Sequence, residues 1–450
     1  MAFQIKSAGL VTTGTTGADL FSIDAAAGQK STILGLAGND VVNAGGGLNT
    51  ATALVINAAG GTDSIAVTGA TTVISASTLM GGAGADTIGL NISGFNASVL
   101  KAGDGNDIVT ISAQQDTHLQ SASVLSLGGG ADSLVLSADR FDDGSIQGGS
   151  GVDTINLQIS AIGSSQVLGG GGADAITISG NLVTGLTVNG DSSVDGGGAD
   201  TITFTVGTDD VTIKGKGGKD VLSVSAVGGT ASQVLGNAGA DAITIQAVAG
   251  SANLIGAGAG NDTVTVSAFG AGNTIVGGGG ADSITLTGAG AGVINAGAGA
   301  DTINFVGAFA GSIAIGAYTD STLAGMDIYS GEGAAQEGGT GYVFTQSAIS
   351  TTTLVKGAAG GSGFTNGVVF SGGIVASSNF ETAGNVTARA ALLDAQSTTA
   401  GTVFVFETEV ANYLFIQGGT AGTSDDFITK IGSGVAIDAF TVGSGSVTIS

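Results

Sequence analysis

The sequence contains no proline, no cysteine and no tryptophan, and its 450 residues include a single histidine, His118. Without cysteine there is neither a disulfide scaffold nor a thiolate metal site. Without proline, a proline-rich disordered coat is excluded. One histidine and no cysteine leave no Ser-His-Asp or Cys-His constellation to assemble, and no glycine run completes the phosphate-binding G-x-x-x-x-G-K-(S/T) pattern, so the sequence predicts no enzyme. Charge is scarce and one-signed: 35 acidic residues face 10 basic ones, a formal net charge of −25. Such a chain repels nucleic acid and anionic membranes and attracts cations. No run reaches 18 consecutive apolar residues, so no transmembrane segment is expected, and the opening residues carry no sustained apolar stretch of a secretory signal. With 42 % hydrophobic residues and a mean hydropathy of +0.45, wholesale disorder is excluded as well.

What is in excess is glycine, 85 residues, about 19 % of the chain against about 7 % in average usage. The glycines recur in a pattern, Gly-x-Asp-x-(Ile/Leu/Val). Its Asp falls at Asp40, Asp63, Asp86, Asp107, Asp132, Asp153, Asp174, Asp200, Asp220, Asp241, Asp262, Asp282 and Asp301. Gly17-Ala18-Asp19-Leu20-Phe21 adds a copy with Phe in the aliphatic place. From Asp19 to Asp301 the mean step is about 21.7 residues, a period that identifies a solenoid. Each period reads as a glycine turn, a short alternating strand, a second turn and another strand, as in Gly280-Ala281-Asp282-Ser283-Ile284-Thr285-Leu286. Stacked at ~4.8 Å, fourteen rungs would make a ladder roughly 65 Å long.

The turn has a chemical logic. Glycines permit the positive φ angles that aim several carbonyls at one point, and Asp adds an anionic oxygen. Carbonyls with a carboxylate are the hard-oxygen set that suits Ca²⁺. Thirteen divalent ions between fourteen rungs would bring +26 against the formal −25. The alternative role for the Asp residues is to cap the turns by accepting local N–H groups. Against it, carboxylates stacked ~4.8 Å apart without cations would repel one another.

Gly81-Gly-Ala-Gly-Ala-Asp86-Thr-Ile88, Gly148-Gly-Ser-Gly-Val-Asp153-Thr-Ile155 and Gly169-Gly-Gly-Gly-Ala-Asp174-Ala-Ile176 match the full G-G-x-G-x-D-x-U pattern. Here the chain resembles the RTX (hemolysin-type calcium-binding repeat) family. That resemblance implies an all-β fold, a right-handed parallel β-roll or β-solenoid. It also implies that each Asp of the series, Asp19 to Asp301, holds Ca²⁺ together with carbonyls of its own and the adjacent rung. The family's usual roll carries such a turn every nine residues on both sides. This chain has one per coil, so the expected calcium row is one-sided. The rung Gly215-Lys216-Gly-Gly-Lys219-Asp220 places two lysines beside the row and is expected to bind its ion poorly.

Residues 1–16 are expected to cap the solenoid of 17–329, and Met326-Asp327-Ile328-Tyr329 reads as a stray rung or the exit from it. In 330–450 aromatics concentrate, among them Phe364, Phe380, Phe404, Tyr413, Phe415 and Phe427, which predicts a small β-rich domain available for subunit contacts. Within it, 386–395 reads as a helix, and 402–407, 413–417 and 426–431 read as strands. This ending is similar to the C-terminal domains of RTX surface-layer proteins, which implies type I secretion to the cell surface. The expectation is therefore a secreted, self-assembling structural protein forming a layer, sheath or filament, with itself and cell-surface polysaccharide as partners. The competing class is a binding module: an adhesin, a phage fibre or an ice-binding solenoid. A partial Thr-x-Thr ladder at Thr201/Thr203, Thr263/Thr265 and Ser283/Thr285 speaks for the last. Asp142-Asp143, Asp209-Asp210 and Asp425-Asp426 read as solvated turns or extra calcium ligands.

Overall fold

A computed structural model describes residues 1–6, 9–23, 30–45, 50–69, 72–120, 122–192, 197–307, 309–314, 321, 326–331, 342–345, 354–357, 369–370, 373–374, 386–394, 400–407, 412–418, 426–431, 440–443 and 446–449. Phe364, Phe380, Asp425 and residue 395, all named above, lie outside that set. The chain is all-β and forms parallel stacked coils of the right-handed β-solenoid kind, about fourteen turns in all. It divides into two compact units, 1–238 and 239–450.

In the first unit the coils pass in turn through two parallel sheets. The coil that begins at Asp86 shows why. Thr87–Asn96 is a long strand in which Ile88, Leu90 and Ile92 point inward and are wholly buried. Ala97 takes a left-handed φ of 45° and turns the chain, and Val99–Asp104 returns as a shorter strand burying Leu100 and Ala102. The period-2 alternation therefore supplies the core from both sheets. Register is like on like: Ile65, Ile88, Val109, Leu134, Ile155 and Ile176 stack in one column through successive pairings. Each such buried aliphatic contributes about 2 kcal/mol of apolar burial, an upper figure because the unfolded chain already buries some. Main-chain N–H groups of each coil bond the neighbouring coil, which explains the absence of proline.

Ala2–Ile5 pairs in parallel with Leu20–Ile23, and Val11–Thr13 with Thr32–Leu34, so residues 1–13 add one more pair of strands to the two sheets.

In the second unit the long strands Ala242–Val248, Thr263–Val266, Ser283–Leu286, Thr302–Phe305 and Asp327–Gly331 continue the same grammar. Phe427–Ile431 then pairs in parallel with Asp327–Gly331 and starts an antiparallel run through Asn412–Ile416 and Val403–Glu407. On the other sheet Tyr342–Thr345 follows Ser312–Ala314 in parallel and is closed by Ser446–Ile449, antiparallel. The edge that parallel stacking would leave open is thus paired. The expected helix is present as Val386–Asp394. Its Ala390 and Leu393 pack on Phe404, Tyr413, Phe415 and Ile428. Phe404, Tyr413, Phe415 and Phe427 are buried in the core of the unit.

Candidate metal-binding turns

Asp and the aliphatic residue two places on share a face of the strand, so the carboxylate points inward with the core. All fourteen predicted Asp residues, Asp19 through Asp301, are at most 3 % exposed. They form a ladder with a definite direction. The backbone N–H of each donates to Oδ1 of the Asp in the following coil: Asp63 to Asp86 at 2.7 Å, Asp86 to Asp107 at 2.7 Å, Asp132 to Asp153 at 2.9 Å, Asp174 to Asp200 at 2.7 Å. In the second unit Asp241, Asp262, Asp282 and Asp301 repeat the arrangement. Oδ1 is therefore a structural acceptor, but for the neighbouring coil rather than for its own turn. Outside this row lies a second one, in which Asn39, Asn106 and Asn261 accept the N–H groups of Thr62, Ala131 and Ala281.

The other carboxylate oxygen behaves differently. Oδ2 of Asp40, Asp63, Asp86, Asp107, Asp132, Asp153, Asp174, Asp200, Asp262 and Asp282 is buried with no hydrogen-bond donor. Those of Asp40, Asp86, Asp153, Asp174, Asp200 and Asp282 lie near a carbonyl of the next coil. A methyl group on Gly81 would collide with both Asp86 Oδ2 and Ala102 O; on Gly169, with Asp174 Oδ2 and Gly190 O; on Gly277, with Asp282 Oδ2 and Ala296 O. An anionic and a neutral oxygen thus converge from successive coils on a space that carries no side chain. The turn depends on glycine two places before Asp. Gly84, Gly130 and Gly151 have φ of 124°, 134° and 123°, and a Cβ on Gly151 would run into Gly130 O.

Burial pushes these carboxyls up from the ordinary 3.8. The N–H bond at Oδ1 opposes the rise, and the charges of neighbouring carboxylates add to it. Asp86, Asp107 and Asp153 reach about 6, and Asp174, Asp200 and Asp282 about 7. Asp19 is the exception. The Met1 ammonium donates to its Oδ1 at 2.6 Å, and the Thr15 N–H and hydroxyl donate to its Oδ2 at 2.5 and 2.9 Å, so its carboxyl is held below the ordinary value. Both its oxygens have protein donors, and it fits a metal less well than the rest of the series. Asp220 sits in the ladder with its Oδ1 accepting Asp200 N–H at 2.8 Å, while Lys216 adopts φ 90° in its turn.

Scanned against known protein families, the chain matches none, and no curated protein matches it in sequence. The chemistry of the turns stands on the geometry alone.

Among the described residues no three acidic or histidine side chains gather at one point. A cation here has to be held by carboxylate and carbonyl oxygens of successive coils, a hard-oxygen set of the kind Ca²⁺ takes and soft metals do not. The residues present fit such an ion. Its +2 charge would answer the buried Oδ2 atoms, which otherwise carry the desolvation cost of an unpaired anion.

Two members of the site escape the motif. Asp327 accepts the Asp301 N–H at 3.0 Å, so the stray rung read at this place belongs to the ladder, with Tyr329 in the aliphatic position. Asp191 is also buried, takes the Gly198 N–H at 3.0 Å and leaves Oδ2 without a donor. It stands in register with Gly170, and the 26-residue step between Asp174 and Asp200 was its only signal.

Proposed function

We propose that the protein is a calcium-stabilised structural repeat protein that works outside the cell by associating with copies of itself into an ordered layer, sheath or filament. One observation carries the metal part: coil after coil buries a carboxylate oxygen that no donor reaches, beside a carbonyl of the next coil. Protons or cations can neutralise such a row, and at neutral pH a divalent ion binding at extracellular affinities of about 10⁻⁴–10⁻³ M is the stronger partner. Because the oxygens meet only in the stacked coils, ion binding adds directly to folding free energy. The structural rather than catalytic reading rests on the composition, one His and no Cys, and on repeats that make up most of the chain. Export without a cleaved leader and a place at the cell surface follow from the resemblance to RTX surface-layer proteins.

Circular dichroism during a calcium titration after chelation tests the metal. Calcium should restore strand signal and raise the melting temperature by tens of degrees at pH 7.5, with magnesium much less effective. A spectrum and melting curve that ignore calcium would remove the metal from the reading.

A further inference from the structure

We infer that the outer face of the long-strand sheet in the first unit is the surface on which two copies of this chain meet; the inference rests on the reading of the protein as self-associating. Along each long strand the residues one, three and five places after Asp point outward. On the nine strands that follow Asp40 to Asp220 these twenty-seven positions carry no charged residue, in a molecule of net charge −25. Threonine, serine, asparagine, glutamine and small residues fill them, as in Thr154-Asn156-Gln158 and Thr201-Thr203-Thr205. Four large aliphatics stand among them: Val41, half-buried, and Ile108, Val135 and Val221, at 53, 36 and 43 % exposed. Charges begin where the face ends, at Asp139, Arg140, Asp142 and Asp209 towards one corner and Asp104 and Lys219 towards the other.

Four arguments converge on a second copy as the occupant. Like-charged molecules approach most cheaply where neither carries charge, and this face is free of it. An uncharged centre within a charged rim is also the anatomy of protein interfaces. The size suffices: nine strands at ~4.8 Å and five residues at ~3.3 Å cover roughly 700 Å², so two opposed faces bury about 1,400 Å², a standard interface. Finally, two copies present ridges of identical spacing, so the rows interdigitate along the whole face in an isologous pair.

The test is sedimentation velocity of the full chain in calcium over a concentration series, with circular dichroism as the folding control. Ile108→Lys with Val135→Lys places two cations on the face while lowering the net negative charge, so weaker association could not come from added global repulsion. Ser126→Lys with Gln147→Lys, outward on the short-strand sheet of the same two coils, is the control. Wild type and control should associate alike, and the face variant should need at least tenfold higher concentration. If all three associate equally, the face is wrong and the proposed function stands. A folded wild type that stays monomeric at every concentration overturns both the face and self-association, leaving the calcium reading untouched. In that case pelleting with insoluble polysaccharide, or thermal hysteresis in ice, would reassign the face to another occupant.

Discussion

Each coil of the first unit has two corners, and they solve one problem with opposite chemistry. Both must satisfy a buried backbone N–H of the neighbouring coil at a sharp bend. At the glycine corner the acceptor is an Asp carboxylate, as where Asp86 N–H meets Asp107 Oδ1 at 2.7 Å. At the far corner it is a hydroxyl, as where Leu54 N–H meets Ser77 Oγ at 3.0 Å and Ser77 N–H meets Ser98 Oγ at 3.1 Å. The same hydroxyls donate onward, Ser77 to Ser75 O and Ser98 to Asn96 O, each at 2.8 Å. Serine therefore leaves nothing unsatisfied. Aspartate, an acceptor only, leaves Oδ2 without a donor in the coils of Asp40 through Asp200. A ladder that merely had to hold coils together could have used serine at both corners. The excess oxygens make the acidic corner look built for something besides stacking, and they make it the conditional half of the coil.

Four measurements would break or sharpen this contrast. The largest effect should come from pH without divalent cations, because it acts on all coils together. Six of the folded-state carboxyls lie at about 6 to 7, above the ordinary 3.8, so at these sites the folded state binds more protons than the unfolded chain. That stabilisation is complete below pH ~4 and is lost as pH rises through 6 to 7. Melting temperature in chelator should fall steeply from pH 5 to pH 7.5. In calcium the slope should flatten or reverse, because protons then compete with the ion. Identical slopes in the two buffers would mean that the acidic corner binds no cation.

Next in size is Gly151→Ala. It forces a side chain onto a φ of 123° and against Gly130 O, and should cost about 3 kcal/mol or more. Thermal or urea melts in calcium read it directly.

Asp174→Asn should change sign with conditions. Its amide oxygen can still accept the Asp153 N–H, so the ladder survives. In chelator at pH 7.5 the loss of a buried charge should stabilise the protein by about 1–3 kcal/mol. In calcium the same change should destabilise it and lower the bound calcium per chain. A destabilisation of equal size in both buffers would make Asp174 a stacking residue only.

The smallest effect belongs to the neutral corner. Ser98→Ala leaves the Ser77 N–H without its acceptor and should cost about 1 kcal/mol, the same with and without calcium and at pH 5 and 7.5. Any calcium dependence there would erase the distinction between the corners.

The acidic corner was legible because its signal is redundant: glycine before, Asp, and an aliphatic residue after, at offsets set by a single turn. Ile88 and Ile155 could be placed inside the coil from alternation alone. The hydroxyl corner has no such local signature. Ser77, Ser98, Ser123 and Ser232 follow Ala76, Ala97, Ala122 and Ala231, each alanine at a positive φ that glycine usually takes, so the turns carry no glycine to announce them. Asp191 was hidden by an insertion, while Asp327, with Tyr329 in the aliphatic place, could be read either as a stray rung or as the exit. In the second unit the helix could be read from its alanines, but the pairing of Phe427–Ile431 with Asp327–Gly331 joins segments a hundred residues apart. No local pattern records that contact. The aromatics and the helix were each visible in the sequence, but the packing of Ala390 and Leu393 on Phe404, Tyr413 and Phe415 was not.

The ladder's one-way polarity also bears on how coils assemble. Each Asp N–H waits for an oxygen supplied by the coil that follows it, so a stack growing from its N-terminal end always shows a donor lacking an acceptor at the growing tip. Growth from the other end would instead expose a carboxylate oxygen, which water or a cation can serve more readily than a narrow turn can serve its own N–H. At the start of the first unit the Met1 ammonium supplies the otherwise missing donor, and in the second unit Ser321 Oγ receives the Asp327 N–H at 2.8 Å. The two ends of such a stack are therefore chemically unequal as templates, and coil addition has a preferred direction written into its main chain.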